Sequence, residues 1–125
     1  MTELTFDTKI LIVGLGVIGG SYAEALTRSG YNHVRCITKN ARDIEYATER
    51  GMIELGTTEV DPTLIADSEL IVFALYPTVF EEWIRSYGHL FSPGTVITDV
   101  SGVKSGIVDQ REFVKIFPWI AANRI

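Results

Sequence analysis

No stretch of this chain restricts its fold as much as residues 9–21, in which an apolar run meets three closely spaced glycines. Ile10, Leu11, Ile12 and Val13 are continuous, the pattern of a strand covered on both faces, as in a parallel sheet. Gly14, Gly16 and Gly19 follow at once with the spacing G-x-G-x-x-G. In such a turn the first glycine permits a tight reversal and the second lets backbone approach a pyrophosphate. The third lets the following helix pack close on the strand. The free N–H groups opening that helix are suited to phosphate. Eleven glycines in 125 residues sometimes fall at this spacing by chance, so the flanks must decide. An apolar strand precedes the turn. An amphipathic helix with small residues at Gly19, Gly20, Ala23 and Ala25 follows and ends at Ser29-Gly30, where glycine suits a left-handed cap. Gly14, Leu15, Gly16, Val17, Ile18 and Gly19 are therefore the expected dinucleotide loop.

The rest of the chain alternates strand and helix. Strands are expected at about 9–14, 33–38, 53–55, 69–75, 95–100 and 112–117, and helices at about 17–29, 41–50, 62–66, 78–87 and 103–110. This alternation predicts an α/β fold, a Rossmann-type doubly wound and mainly parallel sheet in a single domain over 1–125. Tyr76-Pro77 ends the fourth strand, because proline cannot extend a ladder. That break falls at a carboxyl end, where open α/β sheets place ligands, so Leu75, Tyr76 and Pro77 are expected to line the cleft; a plain strand-to-helix turn is the alternative. Val79, Phe80, Trp83, Ile84 and Tyr87 share one side of the next helix and read as core packing rather than a cofactor wall.

The end of the second strand bears on cofactor choice. Sites that bind NAD carry an acidic residue about 20 positions beyond the glycines, which takes the adenosine ribose hydroxyls. Here that place falls at Thr38, followed by Lys39, Asn40, Ala41 and Arg42. With no carboxylate and two cations, a 2′-phosphate is attracted, and the reading favours NADP over NAD. Lys39 and Arg42 read alternatively as solvated surface charges, with Thr38 indifferent to the cofactor. Asn40 is placed to cap the helix that follows it.

The net charge of −5 argues against a general nucleic-acid binder, which needs a basic face. No run reaches the roughly 18 apolar residues of a membrane span, and residues 1–7 lack a signal-peptide pattern. A cytoplasmic protein is expected. Cys36 is the one cysteine, so no intrachain disulfide forms, and its apolar strand setting reads as a buried, inert thiol. His33 and His89 show no metal-ligand spacing, and no metal is expected.

Three segments together resemble the nucleotide-binding domain of prephenate and arogenate dehydrogenases: Ile12 to Ala23, Ala74-Leu75-Tyr76-Pro77, and Thr98-Asp99-Val100-Ser101-Gly102-Val103-Lys104. The likeness covers about residues 9–118. It implies tyrosine biosynthesis, with oxidative decarboxylation of a cyclohexadienol and hydride passed to NAD or NADP. It also implies a catalytic histidine in a His-Pro pair after the last strand; the matching pair here is Phe117-Pro118. A phenyl ring has no lone pair to accept a proton, so general-base catalysis from that position is lost. Asp99 is expected at the cofactor and Ser101 as a catalytic contact, although Ser101 serves equally as a helix cap. The resemblance implies a further helical domain that dimerises and binds substrate, and the expectation is that this chain stops before it. A fragment, a natural truncation and a shifted frame near Lys115 all fit.

The expectation is a dinucleotide-binding domain of a prephenate-type dehydrogenase, inactive as this chain, with small-molecule substrate handled only by a full-length protein. Two rivals stand beside it. One is the domain of another NADP-dependent hydroxyacid or imino-acid oxidoreductase. The other is a non-catalytic nucleotide-binding module that forms a homodimer through Phe117, Trp119 and Ile120.

Overall fold

The computed structural model describes residues 4–100. Five strands, β1 (Lys9–Val13), β2 (His33–Ile37), β3 (Leu55–Thr57), β4 (Leu70–Phe73) and β5 (Val96–Asp99), alternate with helices α1 (Val17–Arg28), α2 (Ala41–Glu49), α3 (Pro62–Ala66) and α4 (Pro77–Tyr87). All pairings are parallel and the sheet order is β3-β2-β1-β4-β5. The chain therefore builds outward from β1 to β3, returns across the sheet, and builds the other way through β4 and β5. The reversal lies between β1 and β4, whose register pairs Val13 with Phe73, and loops diverge there at the carboxyl ends.

The strands are apolar on both faces because both faces are covered. Ile10, Ile12, Val34, Cys36 and Val72 pack with Tyr22, Ala23 and Leu26 of α1. Leu11, Val13, Ile71, Phe73 and Ile97 pack with Leu64 and Ile65 of α3, with Phe80, Trp83 and Ile84 of α4 against them. Local signals close the helices. The Asn40 side chain accepts from the Arg42 N–H to cap α2, and Asp61 accepts from Thr63 and Leu64 ahead of Pro62 in α3.

The third strand differs from the sequence expectation by two residues. Ile53 turns into the first core, 6% exposed, and pairing with β2 begins at Leu55. The strand is anchored by Gly56, where a Cβ would lie 2.8 Å from Cys36 Sγ and 3.0 Å from Ile44 Cγ2. A contact with α2 thus sets this register, and periodicity along the chain carries no trace of it. Strand β4 is also shorter than expected: Ala74 and Leu75 leave the ladder after the Ala74 N–H reaches the Val13 carbonyl.

A charge is buried at the amino edge of the sheet. Arg35, 5% exposed, donates Nε to the Ile10 carbonyl, one terminal nitrogen to Asp67 Oδ2 at 3.1 Å and the other to Ser68 Oγ at 3.0 Å. Lys9 Nζ meets the other Asp67 oxygen at 2.9 Å. Hydrogen bonding from Lys9 is the main cause, with Arg35 assisting, that holds the Asp67 carboxyl below its ordinary value. A depressed carboxyl contributes stability that is present above the unfolded-state value and lost as pH falls through the folded one. Asp67 is half exposed, so solvent screens part of this. We expect Asp67→Asn to destabilise the domain by about 1–2 kcal/mol at pH 7. In urea titrations the gap to the unaltered chain should close as pH is lowered through the carboxylate range.

Candidate functional site

The glycine turn forms because two of its three glycines have no room for a side chain. Gly14 has φ 91°, and a Cβ on it would lie 2.6 Å from the Ala74 carbonyl oxygen and 2.9 Å from Leu75 Cδ2. A Cβ on Gly19 would overlap the Gly14 carbonyl oxygen. Gly16 is different: a Cβ there meets nothing within 4 Å among the described residues, and its φ of −76° suits any residue. The fold needs Gly14 and Gly19; only something approaching from outside needs Gly16.

Gly16 is also the N-cap of α1. Among the described residues no side chain caps that end and no acidic residue stands in the first turn, so the first N–H groups of this 12-residue helix are left without a side-chain partner there. The turn itself is tied down from β2: the Gly14 N–H donates to the Ile37 carbonyl at 2.8 Å and the Leu15 N–H to Thr38 Oγ1 at 3.2 Å. An uncapped helix start above an unfilled glycine is the shape and polarity that a pyrophosphate requires, so the residues present fit a dinucleotide.

From the turn a cavity of about 570 Å³ runs across the carboxyl edge of the sheet. Its size lies within the roughly 300–1,000 Å³ of small-molecule sites. Gly14, Leu15 and Gly16 form one end, and Thr38, Lys39, Asn40 and Asp43 one side. Leu75, Val79, Glu82, Trp83, Ser86 and Tyr87 form the opposite side, with Thr58 and Val60 between.

Of the residues singled out from sequence, Gly14, Leu15, Gly16, Thr38, Lys39, Asn40 and Leu75 meet in this cavity. Gly19 lies beneath the turn, Val17 is 71% exposed at the first position of α1, and Ile18 packs toward the first core. Arg42 is exposed on the first turn of α2, outside the cavity lining. Tyr76, 81% exposed, and Pro77 start α4, also outside the lining. Asp99 ends β5, half-buried, at the same carboxyl edge beyond β4. Ser101, Lys104, Phe117, Trp119 and Ile120, together with the expected helix and strand beyond residue 100, lie outside the described residues.

Two groups in the cavity escape sequence reasoning. Asp43 is the first. Helical side chains tilt toward the N-terminus, so a residue three places past the Asn40 cap swings back over the strand ends. Burial mainly, and the Asp43 charge in addition, push the Cys36 thiol up to about 12, which keeps it protonated and unreactive. The second is the α4 stripe. Trp83 packs on Phe73 with ring centroids 5.1 Å apart, as core packing demands, but it also lines the cavity with Val79 and Tyr87. Among the described residues no three His, Cys, Asp or Glu converge as metal ligands, and no helix is long and apolar enough to cross a membrane.

Comparison with known proteins agrees with this geometry. Residues 9–102 match the sequence model of a family described as NADP oxidoreductase, coenzyme F420-dependent. Prephenate dehydrogenase from A. aeolicus, solved in complex with hydroxyphenyl propionate and NAD+, is 28% identical with a TM-score of 0.66 over 77% of this chain and 34% of its own. Synechocystis arogenate dehydrogenase is 28% identical, with a TM-score of 0.67 over 78% of this chain and 34% of its own. A 3-hydroxyisobutyrate dehydrogenase from Salmonella typhimurium, 18% identical with a TM-score of 0.64 over 74% of this chain and 32% of its own, shares the fold. The chain spans about a third of the length of these structures. No curated protein sequence matches it significantly.

The glycines separate folding from binding. Gly16→Ala should leave the melting temperature within about 2 °C, since a surface change without steric conflict is worth less than about 0.5 kcal/mol. It should nevertheless abolish calorimetrically detected dinucleotide binding. Gly19→Ala should lower the melting temperature by about 10 °C or more, because backbone must move to admit the methyl group.

Proposed function

The chain belongs to the family described as NADP oxidoreductase, coenzyme F420-dependent, and on that footing we propose that it is the cofactor-holding part of a prephenate-type dehydrogenase of tyrosine biosynthesis. The observation that carries the reading is the uncapped start of α1 above Gly16, open to the cavity. The specific chemistry is supported by the 28% identity to prephenate and arogenate dehydrogenases across three quarters of the chain. It is supported too by the Thr98-to-Lys104 motif. A nicotinamide dinucleotide supplies a hydride acceptor when bound. The chain's own residues hold it: Gly14, Leu15 and Gly16 with the helix start take the pyrophosphate, and Thr38 fixes the turn through Leu15. The cofactor edge of the sheet continues through Leu75, Tyr76 and Pro77 to Asp99.

NADP is the cofactor we assign. Lys39 is the one cation among the described residues of the cavity lining, and Asn40 beside it offers a further polar contact for a 2′-phosphate. Asp43 works against it, because a carboxylate accepts from ribose hydroxyls and repels phosphate. Selectivity is thus set by two opposed charges within one helical turn, and it is modest. Arg42, outside the lining, contributes only long-range attraction.

Binding and turnover separate in this chain. The base expected in a His-Pro pair is replaced by Phe117, and Ser101 alone does not restore a proton acceptor of suitable basicity. The protein is accordingly read as a cytoplasmic dinucleotide binder that does not oxidise prephenate by itself.

Calorimetric titration with NADP and NAD at low salt tests the assignment. Lys39→Ala should weaken NADP about tenfold, the worth of one charge-assisted contact, with NAD nearly unchanged. Asp43→Asn should strengthen NADP several-fold. Absence of binding by either dinucleotide, or turnover of prephenate by this 125-residue chain, would refute the corresponding half of the proposal.

A further inference from the structure

The α4 side of the cavity has no part in holding phosphate. Lys39 stands on the opposite side, and no Lys, Arg or His is among the α4 residues that line the space. What α4 presents is a plate. Trp83 is clamped between Phe73 at 5.1 Å, Tyr87 at 5.0 Å and Phe91 at 6.1 Å, the last nearly parallel at 17°. Val79, Trp83 and Tyr87 recur at helical spacing along the wall. Such a surface takes a flat, uncharged, aromatic group.

Two polar side chains interrupt it, Glu82 and Ser86. Their chemistry differs. A serine hydroxyl both donates and accepts, so it does not discriminate between a donor and an acceptor on the ligand. An ionised carboxylate only accepts. The neighbouring Glu81 is paired with Arg85; Glu82 forms no ion pair or side-chain hydrogen bond among the described residues. The cavity therefore holds an exposed carboxylate, not committed to any of those residues, at the rim of an apolar plate.

We propose that Glu82 reads the base of the dinucleotide, accepting a hydrogen bond from the exocyclic amine of adenine while the ring lies against the α4 wall. The inference rests on the dinucleotide assignment above and deepens it, making Glu82 a specificity-determining residue for base identity. Phosphate and ribose are read from the glycine turn and the Lys39 side; the purine is read from the other side. A base with a carbonyl in place of the amine sets lone pairs against the carboxylate at that position, and the N–H it gains at N1 lies beside that position rather than at it, so it binds more weakly.

The test compares NADP with its hypoxanthine analogue, in which the adenine amine is replaced by a carbonyl oxygen, in calorimetric titrations of the full chain and of Glu82→Gln. The unaltered chain should bind the adenine form about tenfold more tightly, the range for one hydrogen bond to a charged group at a partly solvated site. In Glu82→Gln the carboxamide donates as well as accepts, so the ratio should fall to about one. Glu82 is exposed on α4, so equal melting temperatures of the two proteins establish that folding is not the cause. Equal affinity of the unaltered chain for both dinucleotides, or the same ratio in Glu82→Gln, would overturn the inference and leave the dinucleotide assignment standing. Failure of both proteins to bind either ligand would overturn both.

Discussion

The approach of Gly19 to the carbonyl oxygen of Gly14 is the contact on which the rest of the molecule depends. It brings the start of α1 against the end of β1 and the Ala74 segment, closer than any side chain permits. The helix then reaches down far enough for Tyr22, Ala23 and Leu26 to be almost fully buried against β1 and its neighbours. Burial of each large side chain stabilises by roughly 1.5–3 kcal/mol, so a helix held off by one methyl group forfeits packing along its length. The same contact aims the uncapped end of α1 at the carboxyl edge of the sheet, which couples stability to the binding site through a single backbone distance.

The cleft itself follows from the order of strands. Because β4 returns to the side of β1 opposite β2, the loops after β1 and β4 part, and nothing in the ladder fills the space between them. Strand β4 stops at Phe73 and α4 opens at Pro77, and between them Leu75 lines the gap. Helix α4 is used twice. Phe80 and Ile84 turn to the core, Val79 and Tyr87 to the cavity, and Trp83 touches both. A core made of aromatic rings in mutual contact keeps that wall in place without a hydrogen bond.

Charge is distributed to match. Arg35, the one buried cation among the described residues, sits at the amino edge, satisfied by a backbone carbonyl, Asp67 and Ser68, where it serves packing between β1, β2 and the end of α3. At the carboxyl edge Lys39, Asp43 and Glu82 line the cavity, and among the described residues none of them is in a salt bridge, which is the condition of groups that meet a ligand. A chain of net charge −5 thereby offers an anion site without a basic surface, using a helix end and one lysine.

What the chain determined by itself was whatever neighbours along it decide. The β1 run, the glycine spacing, the Asn40 and Asp61 caps and the proline that opens α4 are local, and each could be read along the chain; that β4 stops at Phe73, before Tyr76-Pro77, could not. The parallel order followed from alternation and crossover handedness. Tertiary structure decided three things that local pattern does not carry. The register of β3 depends on Gly56 fitting between Cys36 and Ile44, residues distant in sequence. Whether Arg42 or Asp43 lines the cavity depends on the azimuth of α2 once it is packed, which sequence near Thr38 does not specify. The double use of Trp83 arises only when β4 places Phe73 beneath it and the diverging loops open a cavity beside it. Periodicity tells which face of a helix is apolar; only packing tells whether that face ends in core or in a site.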